Sequence, residues 1–220
     1  MNSIVKEKRY ISERLGIPYE NLSQSYLRAE TALLTTSKID FTLQRNKATS
    51  TYVTERLLDL NDEFVITHFF VGLRADGNNG AGSPLTDQEH LKSVVNTYEC
   101  PLIYDPATTN VGVIYNSNLN FTIDRTEFVP QYPVKAFRRV PFQQMAEYDA
   151  FGTPTVVGKN GFTNGLYGFA NSEPTLINGR QTLDLSIDLD TSVQINVPNN
   201  SGTGVYAVFE ARGYLVVNAK

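Results

Sequence analysis

Hydrophobic and polar positions alternate with a period of two through most of the chain, and that alternation predicts strands. In KIDFTLQR, Ile39, Phe41 and Leu43 alternate with Asp40, Thr42 and Gln44, the pattern of a half-buried strand. NLNFTIDR repeats it with Leu119, Phe121 and Ile123, and TLDLSIDLD with Leu183, Leu185, Ile187 and Leu189. SVQINV adds Val193, Ile195 and Val197. EFVITHFFVGL, residues 63–73, is apolar at both parities, which predicts a central strand covered on both faces. Turn-rich tracts such as GNNGAGSP, NSN and VPNNSGTG separate these runs, and no βαβ spacing occurs. Many short strands with Gly/Asn/Pro connections predict a sandwich or barrel.

The run GVYAVFEARGYLVV, residues 204–217, carries the longest strand signal. It follows directly on VPNNSGTG, which predicts a hairpin between 192–197 and 204–217. Val205, Ala207, Phe209 and Ala211 then share one face, with Tyr206, Val208, Glu210 and Arg212 on the other. Gly213 invites a bulge that re-aims the residues after it. Glu210 and Arg212, two apart on one face, are placed to pair with each other or with a neighbouring strand.

The first 29 residues follow another period. In SIVKEKRYISERLG, Ile4, Ile11 and Leu15 fall on one helical face, Ser3 is a candidate N-cap, and Gly16 with Pro18 closes the segment. A second helical piece is predicted in YENLSQSYLRAE, through Leu22, Tyr26 and Ala29. The predicted organisation is an N-terminal helical arm over 1–29 and a single β-sandwich over 30–220. The arm either caps its own domain or packs on a neighbour. Long connections at 74–90 and 141–181 interrupt the strands, and loops of that length serve binding or subunit contacts.

Composition changes this picture in two ways. Charged residues are only 19% of the chain, against twelve Phe and twelve Tyr, which suits either a surface covered by partner subunits or one rich in Asn, Thr and Ser. The net charge of −4 argues against a specific nucleic-acid partner, since the one basic cluster, Lys135, Arg138 and Arg139, is short. The N-terminal stretch scatters its apolar residues among charges, unlike a signal peptide or membrane span. Cys100 is the only cysteine, so no intrachain disulfide is possible.

Candidate chemistry is sparse. The histidines, His68 and His90, belong to no catalytic or zinc motif, and a buried-strand histidine such as His68 has an ordinary structural role. No P-loop spacing occurs. The tract from Asp76 to Gly80 resembles a calcium loop only until its sixth and twelfth positions, which are Ala81 and Asp87. Asp184, Asp188 and Asp190 line one strand face, the common pattern of solvated carboxylates. Glu147 and Asp149 are the one carboxylate pair in an aromatic-flanked loop, the residue types a glycosidase uses. No catalytic, cofactor-binding or metal site is assigned, and no cofactor.

Three segments, ERLLDLNDEFVITHFFVGL, PLIYDPATTNVGVIYNSNLNFTID and VYAVFEARGYLVV, together with the helical arm, resemble the jelly-roll capsid proteins of tailless icosahedral bacteriophages. The resemblance spans most of residues 55–217, without a strict signature motif, and the length fits one roll rather than two. It implies a mainly β, antiparallel jelly-roll sandwich with a short helical arm, acting as a virion protein. It also implies self-assembly into a shell as a homo-oligomer, alongside other capsid proteins, with no enzymatic role. Phe151, Phe162, Tyr167 and Phe169 are then the expected subunit contacts. The alternative is a jelly-roll carbohydrate-binding module using the Tyr- and Asn-rich loops at 148–172, against which stands the absence of Trp.

Overall fold

The period-two runs become the strands of two packed sheets in a computed structural model. It describes residues 3–33, 37–48, 54–75, 95–97, 110–139, 147–148, 154–155, 170–189 and 205–217. After the helix α1 (Ser3–Leu15) come β1 (Leu22–Ala32), β2 (Lys38–Phe41), β3 (Glu63–Ala75), β4 (Asn118–Ile123) and β5 (Thr126–Pro133). There follow β6 (Glu147–Tyr148), β7 (Pro154–Thr155), β8 (Ala170–Asn178), β9 (Leu183–Asp188) and β10 (Val205–Val216). One four-stranded sheet has the order β1-β10-β3-β8, the other β2-β9-β4-β5, and β6 pairs with β7 alone. We call the first two sheets A and B.

The connectivity is that of a jelly roll. Leaving out the small β6–β7 ribbon, the first strand pairs with the last, the second with the next to last, and so inward to β4 with β5. All these pairings are antiparallel. A long antiparallel ribbon folded over on itself gives this order, and the extra pairings β10–β3 and β4–β9 close it into two sheets.

The interior is built by the alternation read from the sequence. Ile39, Phe41, Leu119, Phe121, Leu185 and Ile187 from sheet B are buried against Leu27, Ala29, Phe69, Val71, Ala207, Phe209 and Ala211 from sheet A. Phe209 sits at the centre, with ring centroids 6.1 Å from Phe41, 6.2 Å from Phe69 and 6.3 Å from Phe121. Gln44, buried in this layer, donates from Nε2 to the carbonyls of Gly179 and Gln181, both at 2.7 Å.

The apolar run of β3 has two causes. Val65 and Phe70 are buried as well as their neighbours, as expected of a strand covered on both faces. The phase also changes at a bulge: Phe64 and Ile66 join the interior before Thr67, and Phe69, Val71 and Leu73 afterwards. The register against β10 skips Thr67, passing from Arg212↔His68 to Gly213↔Ile66. The bulge thus lies opposite Gly213 with its extra residue on β3, and the expected re-aiming of Tyr214, Leu215 and Val217 does not occur. It leaves the β1–β10 register unbroken, and Tyr214 and Val216 keep to the outer face of sheet A.

α1 covers that outer face. Ile11 is fully buried in a cluster with Ile17, Leu22, Val65, Tyr214 and Val216, and Leu15 packs beside it. The helix thus caps its own sheet, although Ile4, expected on the packed face, is 41% exposed. Gly16, at φ +67°, ends the helix in the left-handed conformation that glycine adopts without strain. Ile11→Ala should lower stability by about 2 kcal/mol, measurable as a fall in the denaturation midpoint at unchanged m-value. An unmoved midpoint would mean that the helix contributes nothing to its own domain.

Three expectations are corrected. The second helical piece is absent: a 3-10 turn at Tyr19–Asn21 leads into β1, so the sandwich begins at Leu22 and not at residue 30. Pairing with β10 over the whole length of β1 outweighs the helical spacing of Leu22, Tyr26 and Ala29. The 141–181 connection contains β8, an edge strand of sheet A, as well as β6 and β7. The 192–197/204–217 hairpin is not the pairing of the terminal strand, because β1 and β3 occupy both edges of β10. Residues 192–197 lie outside the described residues, as do 76–94, most of the 74–90 connection.

One side of the sandwich is flanked by the edge strands β5 and β8, and each is interrupted by proline. Pro130 precedes Gln131, whose φ of +47° marks a bulge in β5, and Pro174 lies where β8 jumps register against β3. Prolines and bulges remove the donors another strand would need, so these edges resist sheet extension. β4 and β5 are joined by Asp124 and Arg125, both at positive φ, the conformation of a type I′ hairpin turn. Arg125→Gly should relieve strain there and raise stability by about 0.5 kcal/mol net of its chain-entropy cost. A lowered unfolding midpoint would contradict this.

Candidate functional site

The outer face of sheet A is open where α1 ends its cover, and a groove of about 620 Å³ lies there. Strand register sets its floor: Tyr26 of β1 is opposite Arg212 of β10, which is opposite His68 of β3, with Arg28 and Glu210 in the next row. Glu210 and Arg212 pair as the sequence suggested, with Arg212 Nε 3.2 Å from Glu210 Oε1. Glu7 of α1 forms the wall, its Oε2 accepting from the Tyr214 hydroxyl at 3.3 Å. Burial, with the Glu7 carboxylate beside it, pushes the Tyr214 phenol up to about 12. The fold therefore holds the neutral phenol, and this contribution is intact below pH 10 and lost as pH rises toward 12.

His68 lies half-exposed in the bulge. Its Nδ1 is 2.8 Å from Thr67 Oγ1 and 3.9 Å from Glu7 Oε1. Thr67 Oγ1 also donates to the Arg212 carbonyl at 3.2 Å, and that carbonyl can only accept. The network is satisfied when Nδ1 carries the proton. A carboxylate–histidine–hydroxyl relay needs the acid and the nucleophile on opposite ring nitrogens, whereas Glu7 and Thr67 approach the same one. This trio cannot activate Thr67 as a triad would.

Beside the groove lies a buried charge cluster that sequence reading missed. Glu30, fully enclosed, receives Arg28 on Oε1 at 2.7 Å and Arg74 on Oε2 at 2.7 Å. Thr54 Oγ1 donates to Glu30 Oε1 at 2.6 Å, and the Glu30 amide donates to Glu55 at 2.8 Å. Arg74 also lies over the Tyr206 ring, 4.5 Å from its centroid. The signal available in sequence was the alternation of Arg28 and Glu30 on a strand face, hidden by the helical reading of that segment.

A second concavity of about 670 Å³ opens between β5 and β8 and reaches the inter-sheet core at Phe69. Phe128 and Tyr132 line it with Phe69, and Asp124, Glu127 and Glu173 are its carboxylates. Ser172 Oγ, on a lining residue, is the one buried side-chain polar atom without a hydrogen-bond partner among the described residues. An unmet buried hydroxyl costs about 1–3 kcal/mol.

The remaining sequence candidates stay apart. Asp184 and Asp188 face solvent on β9, and Asp188 accepts from Asn120 Nδ2 at 2.6 Å. Their charge is answered by Lys38, whose ammonium is held above its ordinary range by its hydrogen bond to Asp40, with Asp188 and Asp184 adding attraction. No group of three or more metal-ligating side chains occurs among the described residues. Glu147 is in β6, whereas Asp149, Asp190, His90, Cys100, the 76–80 tract and the four aromatics from Phe151 to Phe169 lie outside the described residues. Among the described residues no helix is long and apolar enough to cross a membrane. No family model, no curated protein and no solved structure matches this chain.

Proposed function

We propose that this chain is a structural virion protein that self-associates into a capsid shell and acts without catalysis or cofactor. The observation that carries this reading is the strand connectivity, an eight-strand jelly roll in two four-stranded sheets. The three segments that resemble bacteriophage capsid proteins contribute β3 and β10, neighbours in sheet A, and β4, an inner strand of sheet B. Prolines in both edge strands of the β5/β8 side disfavour strand addition there, which leaves the sheet faces, the loops and the β1/β2 side for contacts between copies.

Sedimentation of the purified chain over a hundredfold concentration range tests this. The expected result is a discrete homo-oligomer or a closed particle. A chain that stays monomeric throughout overturns it, and a monomer that retains a glycan supports the carbohydrate-binding alternative.

A further inference from the structure

We propose that the cleft between β5 and β8 is a binding site for a small organic ammonium ion, a cationic amine carried on a flat apolar body. Four separate features of the cleft converge on that chemistry.

The first is its walls. Phe69, Phe128 and Tyr132 line it, and Phe128 and Tyr132 are only half-buried, so ring surface is left toward the opening. The rings are fixed by their neighbours: Phe69 meets Tyr132 at 5.6 Å, and Phe128 meets Phe121 at 5.4 Å, both edge-on. Aromatic faces held in this way attract cations through their quadrupoles. The second is charge: Asp124, Glu127 and Glu173 line the cleft, and no Lys, Arg or His is among the described residues of the lining. Arg14 of α1 pairs with Glu173 from outside the lining, which leaves Asp124 and Glu127 to set the sign of the mouth. An anion of the same shape is disfavoured there.

The third is Ser172, whose buried hydroxyl oxygen has no hydrogen-bond partner among the described residues. A hydroxyl oxygen accepts as well as donates, and an ammonium N–H is a donor that would use it. The fourth is the backbone. Both edge strands break register beside the cleft, β5 at Pro130 and Gln131 and β8 around Pro174, and Gln131 is held at a positive φ. The Gln131 amide donates to Asn120 Oδ1 at 2.9 Å, so the opened edge is braced. Bulges and strained residues of this kind accompany sites where a strand edge is re-aimed. The volume lies within the range of small-molecule sites.

The test uses the full chain and two probes with one body and opposite charge, phenethylammonium and phenylacetate, followed by saturation-transfer NMR and titration calorimetry. Phenethylammonium is expected to bind at least about tenfold more tightly than phenylacetate. Phe128→Leu and Glu127→Gln should each weaken it several-fold, and Thr175→Phe, which fills the cleft from β8, should abolish it. Unfolding midpoints of the variants establish that they are folded. Should Thr175→Phe not fold, the other two variants decide. Failure of phenethylammonium to bind, equal binding of phenylacetate, or binding unmoved by both Phe128→Leu and Glu127→Gln overturns the proposal. The outcome is independent of whether the chain assembles.

Discussion

Glu30→Ala is expected to destabilise the fold by about 3–5 kcal/mol, a large share of the stability of an ordinary domain. The effect does not come from losing attraction alone. Glu30 is enclosed between Arg28 and Arg74, and Arg74 is itself only 7% exposed. Removing the carboxylate takes from Arg28 and the buried Arg74 the counter-charge that Glu30 supplies, and breaking a buried ion pair from one side costs more than replacing both partners. The cluster also spans sheet A, since Arg28 and Glu30 belong to β1, Arg74 to β3, and β10 lies between them. Thr54 ties the segment before β3 to the same carboxylate. Arg74→Met in the Glu30→Ala background should therefore recover a substantial part of the loss. Denaturant unfolding of the four proteins of this cycle measures it, and a double variant no more stable than Glu30→Ala would show that the cost lies elsewhere.

The parts of the fold that were legible in the sequence are those where one period dominates a run. β2, β4 and β9 alternate cleanly because one face meets the other sheet and the opposite face meets solvent. Leu183, Leu185 and Ile187 are buried while Asp184 and Asp188 are exposed. β10 was legible for another reason: an apolar run on both parities needs cover on both faces, and α1 with the charge cluster supplies it on the outer side.

Edge strands and switches of period were hidden. β5 and β8 each contain proline and a single buried residue among those described, Val129 in β5 and Ile177 in β8, so neither shows the alternation of a strand. β1 read as helix because its outer face holds Tyr26, Arg28 and Glu30 rather than an even polar alternation, and the pairing that fixes it comes from residues near 210. Such long-range pairing leaves no local trace. The inter-sheet cleft was hidden for the same reason: Phe69, Phe128 and Ser172 are distant in sequence and meet only when β3, β5 and β8 are in place. The helical capping by Ile11 was legible, because a single helix face needs only local spacing.

Gly213→Ala is expected to destabilise by about 3 kcal/mol or more, although it adds a single methyl group. Gly213 sits opposite the β3 bulge, and a Cβ at this position would overlap the Val65 carbonyl oxygen. The obstacle is backbone, so no rotamer change relieves it, and the strands must separate or the bulge must move. Moving the bulge has a further consequence, because Thr67 is where β3 changes phase. With the bulge displaced along the strand, either Ile66 or Phe69 would leave the interior, and both are core residues. The substitution thus sets the β10–β3 pairing against the packing of the sandwich, and the two cannot both be kept. The Tyr26–Arg212–His68 row on the groove floor depends on the same register. Hydrogen exchange of the Val65 to Phe70 amides should rise well beyond the change seen in β9, which lies in the other sheet. Uniform exchange across both sheets, or an unfolding midpoint equal to that of the parent chain, would show that the close approach at Gly213 is not what fixes the bulge.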